Sequence, residues 1–302
     1  MPVSLKDTLV IGISSRALFD LETENNLFDA EGVLAYQKYQ IEHENIPLEK
    51  GTAYPLIESL LNLNSTQKDR KLIEVVVMSR NSPDTGLRIL NSISHYHLPI
   101  TRSVFTSGIS LSKYVEAFSV DLFLSKYESD IQDVIESGKC AAALIYAPPV
   151  NFTPDKQTVR IAFDADAVIF SDESERIYKQ KGLAEFQDNE SRYEDIPLNE
   201  GPFGKFIKLL SAIQSGLDKD LMRIAIVTAR DYPANIRVIK TLRSWGVDVD
   251  EAFFLGGLPK EAVLQAFNAH IFFDDQDSYV LPASAKVPSS RVPYKKDSSL
   301  SE

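Results

Sequence analysis

The chain has 302 residues, 44% of them hydrophobic and 25% charged, enough apolar mass to fill two ordinary cores. Its formal charge of −11, with no basic cluster, argues against a nucleic-acid polymer or an anionic membrane as partner. The single cysteine, Cys140, excludes an intrachain disulfide and a thiolate metal site, and neither a signal-peptide pattern at Met1–Asp7 nor an apolar run of ~20 residues is present, so a soluble cytoplasmic protein is expected.

Leu9-Val10-Ile11-Gly12-Ile13 is the first run with the composition of a buried strand. A helix is expected over residues 51–63, then strands at Ile73 to Met78 and Ala141 to Tyr146. Residues 149–158 lie in a stretch with three prolines and little periodicity, and read as a linker. Val159 to Phe163 is the next strand, followed by a helical spacing over 201–213 and a strand at Ile224 to Val227. The helix after Pro233 is expected to turn Ile236, Ile239 and Leu242 inward and to stop near Gly246. Another helix contains Ala262, Val263 and Phe267, and Ile271 to Phe273 is the last apolar strand. The end, rich in serine, lysine and proline, reads as a mobile tail over 284–302. Buried strands alternating with helices predict an α/β fold on a parallel sheet.

The two halves resemble each other. Glu44-Asn45-Ile46-Pro47-Leu48-Glu49-Lys50-Gly51 recurs as Glu194-Asp195-Ile196-Pro197-Leu198-Asn199-Glu200-Gly201 at an offset of 150, and Gly108 and Ala117-Phe118 recur as Gly257 and Ala266-Phe267 at an offset of 149. A near-constant offset over several segments predicts an internal duplication. In that register Asp164 and Asp166 match Ser14 and Arg16, Thr228 matches Ser79, Lys260 matches Leu111, and Asp274 and Asp275 match Ser125 and Lys126. The first half lacks every one of these carboxylates, so it is not expected to be a second active site.

Those residues carry the chemistry. Asp164 and Asp166 follow a strand, where a carboxylate pair can hold a divalent cation, attack phosphorus and move a proton. Thr228-Ala229-Arg230 follows another strand and offers a hydroxyl and backbone N–H groups to a phosphoryl oxygen. Lys260 stands at the positive end of a helix, where a cation calls for an anion nearby. Asp274-Asp275 ends a third strand; two adjacent carboxylates there repel unless a hard cation such as magnesium joins them. In a parallel sheet all four positions fall on one edge, which predicts a metal-dependent phosphoryl-transfer site. His43, His95 and His97 do not suggest a metal site.

The order D-x-D, Thr, Lys, Asp-Asp resembles the haloacid dehalogenase-like phosphohydrolase superfamily. Within it, Phe163 to Ile177, Thr241-Leu242-Arg243-Ser244-Trp245-Gly246 and His270 to Gln276 are similar to the cytosolic type I 5′-nucleotidase family, as are Ile13 to Phe19, Glu42 to Asn45 and Asn91 to Tyr96 in the first half. The resemblance spans about residues 8 to 283. It implies a Rossmann-like parallel sheet with a small helical cap (about 171–213) in a catalytic domain over 159–283, preceded by a degenerate α/β half over 1–148. It also implies hydrolysis of nucleoside 5′-monophosphates, AMP or deoxynucleotides, with Mg2+. Asp164 would then be the nucleophile, Asp166 the proton donor and acceptor, and Thr228 and Lys260 the phosphoryl holders. Asp164, Asp166 through its carbonyl, Asp274 and Asp275 would hold the metal. Ala165 stands where the family often has glycine. Arg16 and Arg230 are further candidates for substrate contact, and the first half is expected to complete the nucleotide pocket or an oligomer interface. Two other readings stay open: a phosphatase for another small phosphomonoester such as a sugar phosphate, and a catalytically idle nucleotide-binding or scaffold protein.

Overall fold

The computed structural model describes residues 5, 7–67 and 70–301; Met1–Ser4, Lys6 and Glu302, at the outer ends of the expected first half and tail, lie outside the described residues, as do Lys68 and Asp69. In the first half the elements run β1 (Leu9–Ile13), α1 (Ser15–Leu18), β2 (Phe19–Asp20), α2 (Glu22–Glu31), α3 (Val33–Glu42), β3 (Glu49–Lys50), α4 (Tyr54–Asn62), β4 (Ile73–Ser79), α5 (Leu87–His95), β5 (Arg102–Phe105), α6 (Ser112–Val115), β6 (Leu122–Ser125), α7 (Glu128–Ser137) and β7 (Ala141–Ile145). The second half runs β8 (Val159–Phe163), α8 (Glu173–Lys181), α9 (Leu183–Arg192), α10 (Gly204–Gln214), β9 (Met222–Thr228), α11 (Asn235–Trp245), β10 (Glu251–Phe254), α12 (Glu261–Phe267), β11 (Ile271–Asp274), α13 (Asp277–Ser284) and β12 (Ser289–Arg291).

Ten strands form one sheet in the order β10-β9-β8-β11-β12-β7-β6-β1-β4-β5, while β2 and β3 make a separate short ribbon. The five strands of each half are mutually parallel, and the halves meet at a single antiparallel seam, β12 on β7, of two residue pairs. Read outward from the seam, both halves have the same strand order. Register repeats as well: Leu9 faces Ile73 as Val159 faces Met222, Val76 faces Arg102 as Ala225 faces Glu251, and Ile13 faces Leu124 as Phe163 faces Phe273. Apolar side chains from both faces of β1, β4, β8 and β9 are fully buried beneath the helices, as a doubly covered parallel sheet requires.

The repeat slips by one residue at the chemistry. Ala53 N–H donates to the Ala17 carbonyl, whereas Phe203, 150 residues on, donates to Val168, 151 residues on. The loop after β8 therefore holds one residue more than the loop after β1. That residue is taken up in a widened turn over 165–169, with Ala167 left-handed at φ 56°. Arg16 is thus not a strict counterpart of Asp166. The same loop explains Gly201: a Cβ there would lie 2.1 Å from the Phe170 carbonyl oxygen, and one on Gly51 would lie 2.8 Å from the Phe19 carbonyl carbon. Both glycines admit a close backbone approach.

Three expectations are corrected. Residues 289–291, placed in a mobile tail, form β12, and the segment beyond them bonds to both halves through Gln132, Glu136 and Asp172. In α11 the buried residues are Arg237, Val238, Thr241 and Leu242, while Ile239 is exposed, because the buried Arg237 shifts the inward stripe by one position. Of the segment 171–213, only the α8–α9 hairpin stands off the sheet; α10 packs Phe206, Ile207 and Leu210 into the main core. No helix among the described residues is long and apolar enough to cross a membrane.

Candidate active site

Asp164 follows β8, Thr228 ends β9, Asp274 ends β11, and Lys260 caps α12. All four lie at the carboxyl edge of adjacent parallel strands, where helix N-termini and free strand ends leave room for a ligand. The backbone N–H of Asp164 donates to Phe273 at 2.7 Å, which fixes the first carboxylate beside the third strand.

Lys260 is 1% exposed, and its Nζ bonds Asp164 Oδ1 at 2.8 Å and Asp274 Oδ2 at 2.7 Å. The Tyr279 ring lies 4.4 Å beneath the ammonium. Carboxylate oxygens of Asp164, Asp274 and Asp275 fall within 4.8 Å of one another, and all three residues are buried. Three carboxylates against one lysine leave two uncompensated negative charges in a place shielded from water. Burial pushes the Asp164 carboxyl up to about 7, with Asp274 and Asp166 adding to the rise against the pull of Lys260. Asp275 is raised well above the usual carboxylate range, by burial first and then by Asp274. Burial works against the charge of Lys260, but Asp164 and Asp274 outweigh it and raise its pKa, so the proton stays on the lysine.

This donor set fits a hard divalent cation. Oδ1 of Asp275 is buried without a partner among the described residues, Asp274 Oδ1 is oriented by the Gln276 N–H at 2.9 Å, and only oxygens converge. Tyr294, from the segment after β12, donates its hydroxyl to Asp275 Oδ2. Nothing in its local sequence marks this tyrosine, because its role depends on the chain returning across the sheet.

Asp166 turns away from that cluster. Both of its oxygens accept from Arg230, Oδ2 from Nε and Oδ1 from Nη2, each at 2.7 Å. Arg230 is 3% exposed, and its Nη1 reaches Glu190 on α9 at 2.6 Å and the Ala234 carbonyl at 3.1 Å. Burial opposes the guanidinium charge, yet Asp166 and Glu190 overcome it and raise its pKa. Arg230, expected from the sequence as a substrate contact, is thus engaged by two protein carboxylates, Asp166 and Glu190. The Asp166 carboxylate stands outside the three-carboxylate cluster; the metal contact expected of this residue is through its backbone carbonyl. Thr228 is buried, and its hydroxyl accepts from the Arg230 N–H at 3.3 Å, so Thr228, Ala229 and Arg230 form one turn beside the carboxylates.

Glu190 also accepts from Arg237 at 3.1 Å and from Ser174 at 2.9 Å, pinning the α8–α9 hairpin over the edge. The first half preserves this anchor with the acid moved: Arg88 bonds Glu24 on α2 at 2.7 Å and Gln40 on α3 at 3.1 Å. Of the aromatics on the hairpin, Phe186 is buried with Arg230 5.2 Å from its ring centre, while Tyr178 and Tyr193 are exposed. A cavity of about 590 Å³ adjoins the site at Ala167, Ser171 and Arg176 without reaching the carboxylates, which lie under the hairpin and Tyr294.

Arg16 is not brought to this site. Strand β1 lies five strand spacings from β8, roughly 24 Å, and across the antiparallel seam its carboxyl end points the opposite way. Arg16 therefore stays outside the carboxylate site within one chain, while other first-half residues, Asp121, Lys139 and Cys140 among them, line the adjoining cavity.

A family model described as 5′-nucleotidase matches residues 1–299. Human cytosolic 5′-nucleotidase 1B is 35% identical over 286 residues, 91% of this chain and 47% of the human protein, so the chain spans about half the length of that relative. Among solved structures, a chain from the structure of the Pnkp1/Rnl/Hen1 complex aligns over 96% of this chain and 97% of its own, at 11% identity and a TM-score of 0.34, a likeness too weak to bear on function.

Proposed function

The chain belongs to the 5′-nucleotidase family, and from that premise we propose that its second half hydrolyses nucleoside 5′-monophosphates to nucleoside and phosphate. The observation that carries this reading is the buried group of Asp164, Asp274 and Asp275 around Lys260, on the same edge as Thr228. Asp164, Asp274 and Asp275 would hold Mg2+, which when bound neutralises charge on the transferring phosphoryl group.

Asp164 is the nucleophile: an Oδ–phosphorus bond forms as the bond from phosphorus to the ribose 5′ oxygen breaks. Asp166 donates a proton to that leaving oxygen, then takes one from the water that cleaves the aspartyl-phosphate. The bidentate pair with Arg230 fixes the Asp166 carboxylate in position. The Thr228 hydroxyl donates to a phosphoryl oxygen, and Lys260 keeps Asp164 aimed while offsetting charge in the transition state. The α8–α9 hairpin, anchored through Glu190, shields the acyl-phosphate from bulk water. We read the matching strand order and register as an internal duplication in which the haloacid dehalogenase-like site survives in one copy.

The test is phosphate release with Mg2+ from a panel of nucleoside monophosphates and sugar phosphates, with Asp164→Asn as control. Release from nucleotides that vanishes in the variant is expected. Release from none of the nucleotides, or full activity in Asp164→Asn, overturns the reading.

A further inference from the structure

The first half carries a cavity of about 600 Å³ at the carboxyl edge of β1 and β4, on the opposite edge of the sheet from the carboxylate cluster. Every residue lining it belongs to the first half. We propose that this cavity is a second small-molecule site that binds a nucleoside monophosphate without hydrolysing it and without a metal.

The argument begins with the loops. The turn after β4 and the turn after β5 keep the shape of the phosphoryl-binding edge: Ser107 and Gly108 are left-handed and donate to Asn81 and Arg80, as Gly256 and Gly257 are left-handed and donate to Arg230 and Ala229. The backbone cradle has survived while its side chains have changed sign. Where the second half gathers Asp164, Asp274 and Asp275, the first half has Ser14, Ser125 and Lys126. The charged residues lining the cavity are both cations, Arg16 and Arg80, each held by one carboxylate, Glu22 or Asp130, with Lys126 a second cation on Glu22. The charged lining is thus positive in a chain of net charge −11. An anion can be held there with no divalent ion, and no carboxylate stands where a nucleophile would be needed.

Two donors are left over. Nε of Arg16 and Nδ2 of Asn81 are buried and have no partner among the described residues, although both side chains line the cavity. Buried donors of this kind are costly unless a ligand or water accepts from them. The remaining wall suits a flat ring. Phe28 and Tyr36 meet edge to face at 5.9 Å, the Tyr36 hydroxyl donates to Asn81 Oδ1 at 3.1 Å, and Tyr127 stacks under Arg16 at 5.0 Å. Phe28 is 45% exposed, an aromatic face open to a base. Cationic donors at the strand ends with an aromatic wall on the helical hairpin match the two ends of a nucleotide.

The experiment is calorimetric titration of the intact Asp164→Asn protein with AMP, which avoids turnover. Two AMP per chain are expected. Asn81→Leu, which removes the free donor and fills space, should abolish one of them, and the half-exposed Phe28→Ala should weaken the same one about tenfold or more without disturbing the core. Lys260→Met, introduced instead, should remove the other. A failure of the proposed function would show as loss of the Lys260-sensitive event alone, so the two ideas are separable. Chelating divalent ions should spare the Asn81-sensitive event. Adenosine or inorganic phosphate alone should bind there more weakly than AMP. A titration unchanged by both Asn81→Leu and Phe28→Ala overturns the second site, and adenosine binding as tightly as AMP there overturns its anionic character.

Discussion

Asp164→Asn probes the electrostatics of the site without reference to catalysis. In the metal-free protein the folded-state pKa of Asp164 is about 7, against 3.8 in the unfolded chain. The folded form thus keeps a proton that the unfolded form has released. Stability from this group is complete below about pH 4, is lost as pH rises toward 7, and is flat above it. Three pH units correspond to about 4 kcal/mol in all, and to about 3 kcal/mol between pH 5 and pH 8. Buried His270, held neutral by burial, has its pKa lowered and contributes in the opposite sense over the lower part of that range. Urea unfolding of wild type and Asp164→Asn in a chelator at both pH values cancels that contribution. Relative to the variant, wild type should lose about 3 kcal/mol over this interval, and Mg2+ should restore most of it because the cation favours the ionised carboxylates. Parallel stability curves for the two proteins would refute the reasoning.

Arg230→Met leaves Asp166 without its cation and the fully buried Glu190 with Arg237 alone; unfolding should become easier by about 3 kcal/mol, and kcat should fall at least tenfold, with Arg230→Lys restoring only part of either. Equal stability of Arg230→Met and wild type in urea would count against the pairing. Tyr294→Phe removes the hydroxyl that orients Asp275, so divalent-ion affinity measured by calorimetry should drop about 10- to 100-fold while the fold persists. Gly201→Ala should cost at least about 1–3 kcal/mol of stability, because its methyl group meets the Phe170 carbonyl; a thermal midpoint equal to wild type would show that the approach is not required.

Asp164, Thr228 and Asp274 were legible as candidates because each ends an apolar run, whereas Lys260 opens a helix. β1, β4, β7, β8, β9 and β11 are fully or almost fully buried, so their hydrophobic character is continuous, and Asp164, Thr228 and Asp274 stand at its ends. Strands β5 and β10 did not announce themselves, since they are sheet edges with half-exposed residues such as Arg102 and Glu251. β12 is Ser289-Ser290-Arg291, with no apolar signal; backbone pairing alone recruits it. The engagement of Arg230 was hidden for a related reason. A charged side chain in sequence looks like a ligand contact, and only the packing of α9 reveals that Glu190 and Asp166 have claimed Arg230. The one-residue slip after β8 was equally hidden, because the offset of 150 is restored before Gly182 and Gly201, which match Gly32 and Gly51.

The short seam also has a consequence for synthesis. β7 is an interior strand in the finished sheet, but its second neighbour is supplied only by residues 289–291. Until those residues leave the ribosome, Ala141–Ile145 forms an apolar, unpaired margin of an otherwise foldable first half. A chain cut before Ser289 would keep every carboxylate of the candidate site and still expose two such margins, β7 and β11, as templates for pairing between molecules. The three residues of β12 therefore close a margin that stays open throughout synthesis, and they guard only the finished chain against self-association.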